Sequence, residues 1–102
     1  MKKQTFYFTF GSDDKFPFGF KEYIKIIAEN IFDAQLTFQQ NHPNRPGSEL
    51  LNYAFDYTEE AWKRMNMCAE YYDNKEPSEI LISDKIREKE YAKENDDLEN
   101  EM

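Results

Sequence analysis

The chain of 102 residues has few of the side chains on which most protein chemistry depends. Cys68 is the only cysteine, so no internal disulfide can form and a reducing, cytoplasmic setting is expected. His42 is the only histidine, and zinc sites draw on two or more cysteines or histidines at short spacing, so no metal site is expected. Gly11, Gly19 and Gly47 are too far apart for either glycine-rich phosphate-binding motif, so no cofactor is expected.

A nucleophilic pair of Cys68 and His42 is arithmetically possible, and a pair of carboxylates is the other catalytic arrangement that the sequence leaves open. His42 lies in a proline-rich segment, whereas Cys68 falls beside Met65 and Ala69 on the apolar stripe of a predicted helix. A buried structural thiol is the favoured interpretation, because an unpaired cysteine usually behaves as a small apolar residue. Carboxylates are plentiful, but general acid–base catalysis needs two acids in different environments, which the sequence does not show. The sequence therefore predicts a protein that is not an enzyme.

Long apolar runs are also missing. No stretch approaches the roughly 18 consecutive apolar residues of a membrane span, so no membrane contact is expected. Met1, Lys2 and Lys3 are followed by an alternating segment instead of a continuous apolar run, and no signal peptide is therefore expected. The predicted location is the cytoplasm.

Positive charge is scarce. The chain has 13 lysines and arginines against 21 aspartates and glutamates, which gives a formal net charge of -8. Much of the imbalance falls in residues 88–102, which hold seven acids and two bases. Binding of free nucleic acid through counterion release needs a basic patch, so direct nucleic-acid binding is not expected. The expected partner is a protein with a basic surface.

Aromatic residues, in contrast, make up 17% of the chain. Phe6, Phe8 and Phe10 alternate with lighter residues, and this period of two predicts a strand over residues 3–10 with three rings on one face. A second strand is predicted over residues 20–28, again with alternating aliphatic residues. The two strands are expected to form an antiparallel hairpin with a long connection.

Two helices are predicted to cover the phenylalanine face of this hairpin. The first begins after the N-cap Asn30 and carries Phe38, and the second begins after the N-cap Thr58 and carries Trp62. A third strand is predicted between them, over residues 50–57. The predicted fold is therefore α+β, a small antiparallel-rich sheet in the order ββαβα with its helices packed on one face.

The end of the chain is predicted in less detail. The second helix should run without a break to Tyr72, and residues 80–82 form either a short fourth strand or the start of a last helix. Ser83 is a suitable N-cap for a final helix over residues 84–94. Residues 1–93 are thus predicted to form one domain, and residues 94–102 an acidic, disordered tail.

Core and turn positions between residues 5 and 62 also show a resemblance to known proteins. The positions are Phe8-Thr9-Phe10-Gly11-Ser12, Tyr23-x-x-Ile26-x-Ala28, Ala34, Ala54-Phe55-x-Tyr57 and Trp62. They resemble small, mostly uncharacterised proteins of phages and integrated elements of Gram-positive bacteria. Small acidic phage proteins of this size include inhibitors of host defence nucleases, the anti-CRISPR proteins among them. The resemblance implies an inhibitor that acts in the host cytoplasm and occludes a basic, nucleic-acid-handling surface of a host defence protein.

The candidate binding residues are acids and rings in a loop and in the tail: Asp13, Asp14, Phe16, Phe18, Glu94, Asp96, Asp97 and Glu99. Exposed rings on a loop can mark an interaction surface. Alternatively, Phe16 and Phe18 fold back over the core instead of forming a contact site. The alternative role of the acidic tail is only to increase solubility. The alternative function is a structural or assembly protein that forms homodimers or larger homo-oligomers through a strand edge or the aromatic loop.

Overall fold

The computed structural model describes residues 3–10, 22–43 and 54–87. Strands, helices and one helical turn over residues 84–87 make up this part of the chain, and the predicted α+β class is confirmed. In chain order the longer elements are β1 (Gln4–Thr9), β2 (Tyr23–Ala28), α1 (Ile31–Asn41), β3 (Phe55–Thr58), α2 (Glu59–Arg64), α3 (Met67–Tyr72) and β4 (Glu79–Ile82).

The described strands form one mixed sheet in the order β3-β1-β2-β4. β1 pairs antiparallel with both β2 and β3, so the predicted hairpin is confirmed; Phe8 lies opposite Ile24 in this pairing. β4 pairs in parallel with β2 at the other edge, with Leu81 opposite Ile26. The segment around residues 80–82, for which the sequence left a strand and a helix open, is therefore a strand.

One face of the sheet carries the predicted phenylalanines. Phe6, Phe8 and Phe10 are buried there together with Ile24 and Ile26 of β2. Ala34 and Phe38 of α1 pack on them, and the ring centroids of Phe8 and Phe38 are 5.7 Å apart. The three-ring alternation therefore forms the centre of the core, as the sequence predicts.

The second face is also covered, which corrects the prediction that the helices share one face. Trp62, Met67 and Tyr72 of α2 and α3 pack with Tyr23 in a separate buried cluster. Tyr7 lies at the edge of the same cluster, because alternation along β1 turns it away from the phenylalanines. The second face of the sheet is as aromatic as the first, and it therefore needs its own layer of helix.

The predicted continuous helix up to Tyr72 is two helices, α2 and α3, with a turn between them. Asn66 has φ 50° and ψ 40°, in the left-handed region that asparagine tolerates better than most residues. In an unbroken helix, two residues five apart point about 140° away from each other. The turn at Asn66 instead lets both Trp62 and Met67 be buried, while Met65 of the predicted apolar stripe stays half exposed.

The predicted N-caps are confirmed. The Asn30 side chain accepts a hydrogen bond from the Asp33 backbone N–H at 2.9 Å, and the Thr58 hydroxyl accepts one from Ala61 at 3.1 Å. The Ser83 hydroxyl accepts a longer bond, 3.3 Å, from the Lys85 N–H at the start of the last helical turn. The first part of the predicted third strand, and everything predicted beyond residue 87, lie outside the described residues.

Candidate functional site

The candidate binding residues named from the sequence lie outside the described residues. They are Asp13, Asp14, Phe16, Phe18, Glu94, Asp96, Asp97 and Glu99. The site is therefore built from exposed side chains in the part of the chain that the structure describes. Large apolar side chains that are exposed there are Phe32, Leu36, Phe55, Met65, Tyr71 and Ile80.

The first group of exposed residues lies on the outer strand of the sheet. β3 pairs on one side with β1, and within the described residues no strand pairs with its other side. Phe55 is 61% exposed, and the neighbouring Asp56 is exposed as well. The ladder holds Asp56 opposite Phe8, which is fully buried, so the carboxylate projects from a rigid part of the sheet.

Two more acids lie in the first turn of α2. Thr58 ends β3 and caps α2, so Glu59 and Glu60 follow Asp56 without an intervening loop. Acids in the first turn are favoured by the positive end of a helix dipole. Glu59 also pairs with Lys63 one turn later at 2.9 Å, whereas Glu60 is exposed. We call Phe55, Asp56, Glu59 and Glu60 the acidic edge.

The second group of exposed residues lies on α1. Phe32 is 78% exposed and Leu36 is 48% exposed, and they are four residues apart, which places them on the same side of the helix. We call these two residues the α1 stripe. Gln35 lies between them in sequence, and its Nε2 donates to Oδ2 of Asp56 at 3.4 Å. This bond brings the α1 stripe next to the acidic edge.

Cys68 and His42, the nucleophile–base pair considered from the sequence, lie on opposite faces of the sheet. His42, at the end of α1, packs against Phe38 on the first face, and its Nε2 lies 2.7 Å from Oε1 of Glu79. Cys68 packs in the cluster on the second face, where its Sγ is 3.7 Å from the hydroxyl of Tyr23. A nucleophile–base pair between Cys68 and His42 is therefore excluded in this fold.

The side-chain pKa values of three tyrosines on the second face are raised, and the cause is burial in the packed cluster. Burial raises the pKa of Tyr23, and the hydrogen bond to Cys68 raises it further. The Tyr23 hydroxyl also donates to the carbonyl oxygen of Lys75 at 2.5 Å, which anchors the segment after α3. Burial likewise raises the pKa of Tyr7 and Tyr72. Each of these groups keeps its proton at neutral pH and acts as a packing residue.

Metal and ligand sites are sparse in the part of the chain that the structure describes. No group of three or more histidine, cysteine or carboxylate side chains there could hold a metal ion. No helix among those residues is long and apolar enough to cross a membrane.

A polar surface cavity of about 230 Å³ lies between α1 and β4, lined by Thr37, Gln40, Asn41, Leu81, Ile82, Asp84 and Arg87. It is smaller than most small-molecule sites, which hold roughly 300–1,000 Å³.

Comparison with protein-family models, with curated proteins and with solved structures found no match. The function is therefore inferred from the acidic edge and the α1 stripe. Neither surface was identified from the sequence, although the positions of their residues in the sequence could have indicated both. Phe32 and Leu36 lie off the buried side of α1, and Asp56, Glu59 and Glu60 are three acids within five residues.

Proposed function

We propose that this chain is a non-enzymatic binding protein of a phage or mobile element. It would act in the host cytoplasm by occluding a basic, nucleic-acid-handling surface of a host defence protein. The acidic edge is the observation that supports this proposal most directly, because three acids lie within five residues at the outer strand and Asp56 and Glu60 are exposed. The resemblance to small phage proteins supports the same function.

The acidic edge suits this role for two physical reasons. A basic groove that binds nucleic acid attracts carboxylates as it attracts phosphates, and complementary charge both speeds association and selects the partner. The backbone of Asp56 is held by the β1–β3 ladder and that of Glu60 by the first turn of α2, so little backbone entropy is lost when they bind. Phe55 is exposed too, on the opposite face of the strand from Asp56, and provides aromatic surface of the kind that protein interfaces favour.

The test is affinity purification of the tagged full chain from host lysate, at low and at high salt, followed by mass spectrometry. The expected result is one basic protein that is retained at low salt and lost at high salt. The double variant Asp56→Asn, Glu60→Gln should lose it, whereas the matched control Glu70→Gln, Glu76→Gln should retain it. Retention of the same protein by both double variants would contradict the role of the acidic edge.

A second candidate function follows from the outer side of β3. Within the described residues this side has no partner strand, and unpaired strand edges can add a strand from another molecule. The chain would then be an assembly protein that pairs β3 with β3 of a second copy. Sedimentation equilibrium tests this function, and a monomeric mass at high protein concentration would contradict it.

A further inference from the structure

The α1 stripe is an apolar surface that is largely exposed in the part of the chain that the structure describes. Ala34, Thr37 and Phe38 are the residues that α1 buries against the sheet, and Phe32 and Leu36 project from its other side. A ring that is 78% exposed gains little from folding, whereas burial of a phenylalanine side chain is strongly favourable. The stripe can therefore contribute to binding without a cost to the fold.

Charge around the α1 stripe favours one kind of partner. α1 contains no lysine or arginine, and its one acid, Asp33, is buried and accepts a hydrogen bond from the Glu29 backbone N–H at 3.1 Å. Asp56 lies beside the stripe through its contact with Gln35. The apolar centre of this surface therefore has a carboxylate beside it and no cation on its own helix, and a complementary partner has an apolar centre with cations beside it.

We propose that the α1 stripe binds a basic amphipathic helix of the partner protein. Two helices that pack side by side bring together residues at spacings of three and four, and Phe32 and Leu36 have that spacing. The apolar side of the partner helix would cover the α1 stripe, while its lysines or arginines would reach Asp56. A second copy of this chain fits less well, because its own α1 has no base to offer. The inference rests on the proposed function and specifies the partner's contact element.

Three synthetic peptides of about 18 residues test the proposal against the ¹⁵N-labelled full chain. The first is an amphipathic helix of leucine and lysine, the second has glutamate in place of lysine, and the third has serine in place of leucine. We expect only the leucine–lysine peptide to shift the amide signals of Phe32, Leu36 and Asp56. The double variant Phe32→Ala, Leu36→Ala should weaken its binding roughly tenfold or more. The control Met65→Ala, Tyr71→Ala, which removes exposed apolar groups elsewhere, should leave the affinity unchanged.

Other outcomes would overturn the proposal. Binding of the leucine–glutamate peptide with equal affinity, or shifts confined to other parts of the chain, would show that the α1 stripe does not select a basic helix. A concentration-dependent dimer that Phe32→Ala abolishes would show that a second copy covers the stripe. If the host protein is lost on Asp56→Asn, Glu60→Gln but retained by Phe32→Ala, Leu36→Ala, this inference fails while the proposed function stands. If neither double variant affects its capture, both fail.

Discussion

The ring of Tyr7 lies parallel to the ring of Trp62, with centroids 4.5 Å apart and 6° between the ring planes. Tyr7 belongs to β1 and Trp62 to α2, so this stack joins the central strand to the helices on the second face. Tyr23 and Tyr57 also contact Trp62, at centroid distances of 5.0 and 5.7 Å. One tryptophan therefore anchors α2 against three strands of the sheet.

Truncation of Trp62 tests the second layer of the fold. Trp62→Ala should lower the free energy of unfolding by about 3–5 kcal/mol, because the variant loses a large buried ring and leaves a cavity. Tyr71→Ala is the control, since Tyr71 is 59% exposed and its removal should change stability by less than about 0.5 kcal/mol. Urea denaturation followed by circular dichroism measures both values. Equal effects of the two substitutions would contradict the packing of α2 on the sheet.

Truncation of Phe8 tests the first layer. Phe8 is fully buried between Ile24 and Phe38, so Phe8→Ala should cost about 3–5 kcal/mol, a large part of the stability of a small domain. Phe32→Ala removes the same ring from an exposed position and should be nearly neutral. Thermal denaturation distinguishes the two variants. An unchanged melting temperature for Phe8→Ala would show that β1 is not the central strand.

Substitution of Asn66 tests the turn between α2 and α3. A non-glycine residue at φ 50° carries a steric cost of roughly 1–2 kcal/mol, which asparagine reduces and alanine does not. Asn66→Ala should therefore destabilise the protein, and Asn66→Gly should be neutral or stabilising. Urea midpoints of the two variants provide the comparison. If the two helices were one, alanine would be the better residue, and Asn66→Ala would instead stabilise the protein.

Alkaline pH should unfold the protein through its buried tyrosines. Burial raises the pKa of Tyr23 in the folded state above its unfolded value of about 10. Above that pH the unfolded chain releases this proton and the folded chain keeps it, so the free energy of unfolding falls as pH rises. Below it, the contribution of Tyr23 is constant. Tyr23→Phe should reduce the fall between about pH 9 and 12.

Denaturation curves across the alkaline range measure this effect, with absorbance at 295 nm following ionisation of the tyrosines. Tyr71→Phe is the matched control, because the Tyr71 side chain is 59% exposed. The control should keep the pH dependence of the natural chain. Loss of the same amount of pH dependence in both variants would show that Tyr23 is not the responsible group.

The alternation of residues was sufficient to predict β1, β2 and the face that carries Phe8. Hydrogen-bonding side chains at Asn30 and Thr58 were sufficient to predict two helix starts, since their capping bonds are local. Tyr7 shows where the pattern fails. A tyrosine between phenylalanines can lie in water or under a helix, and only the tertiary position of Trp62 decides between the two.

The break at Asn66 could not be predicted from periodicity for a similar reason. Trp62, Met65 and Ala69 have helical spacing, and nothing local excludes a continuous helix. The left-handed turn is favoured because it buries Met67 against the sheet, and that gain depends on distant residues. The acidic edge depends likewise on β3 being the outermost strand, and the order of strands in a sheet is not a local property.

In the proposed function, the acidic edge competes with nucleic acid for a basic host surface. This competition is tested most directly by fluorescence anisotropy of a labelled nucleic acid bound to the host protein that co-purifies at low salt. The natural chain should displace the nucleic acid, and Asp56→Asn, Glu60→Gln should need roughly tenfold or more protein to do so. Nucleic acid that stays bound at saturating concentrations of the natural chain would contradict the proposal.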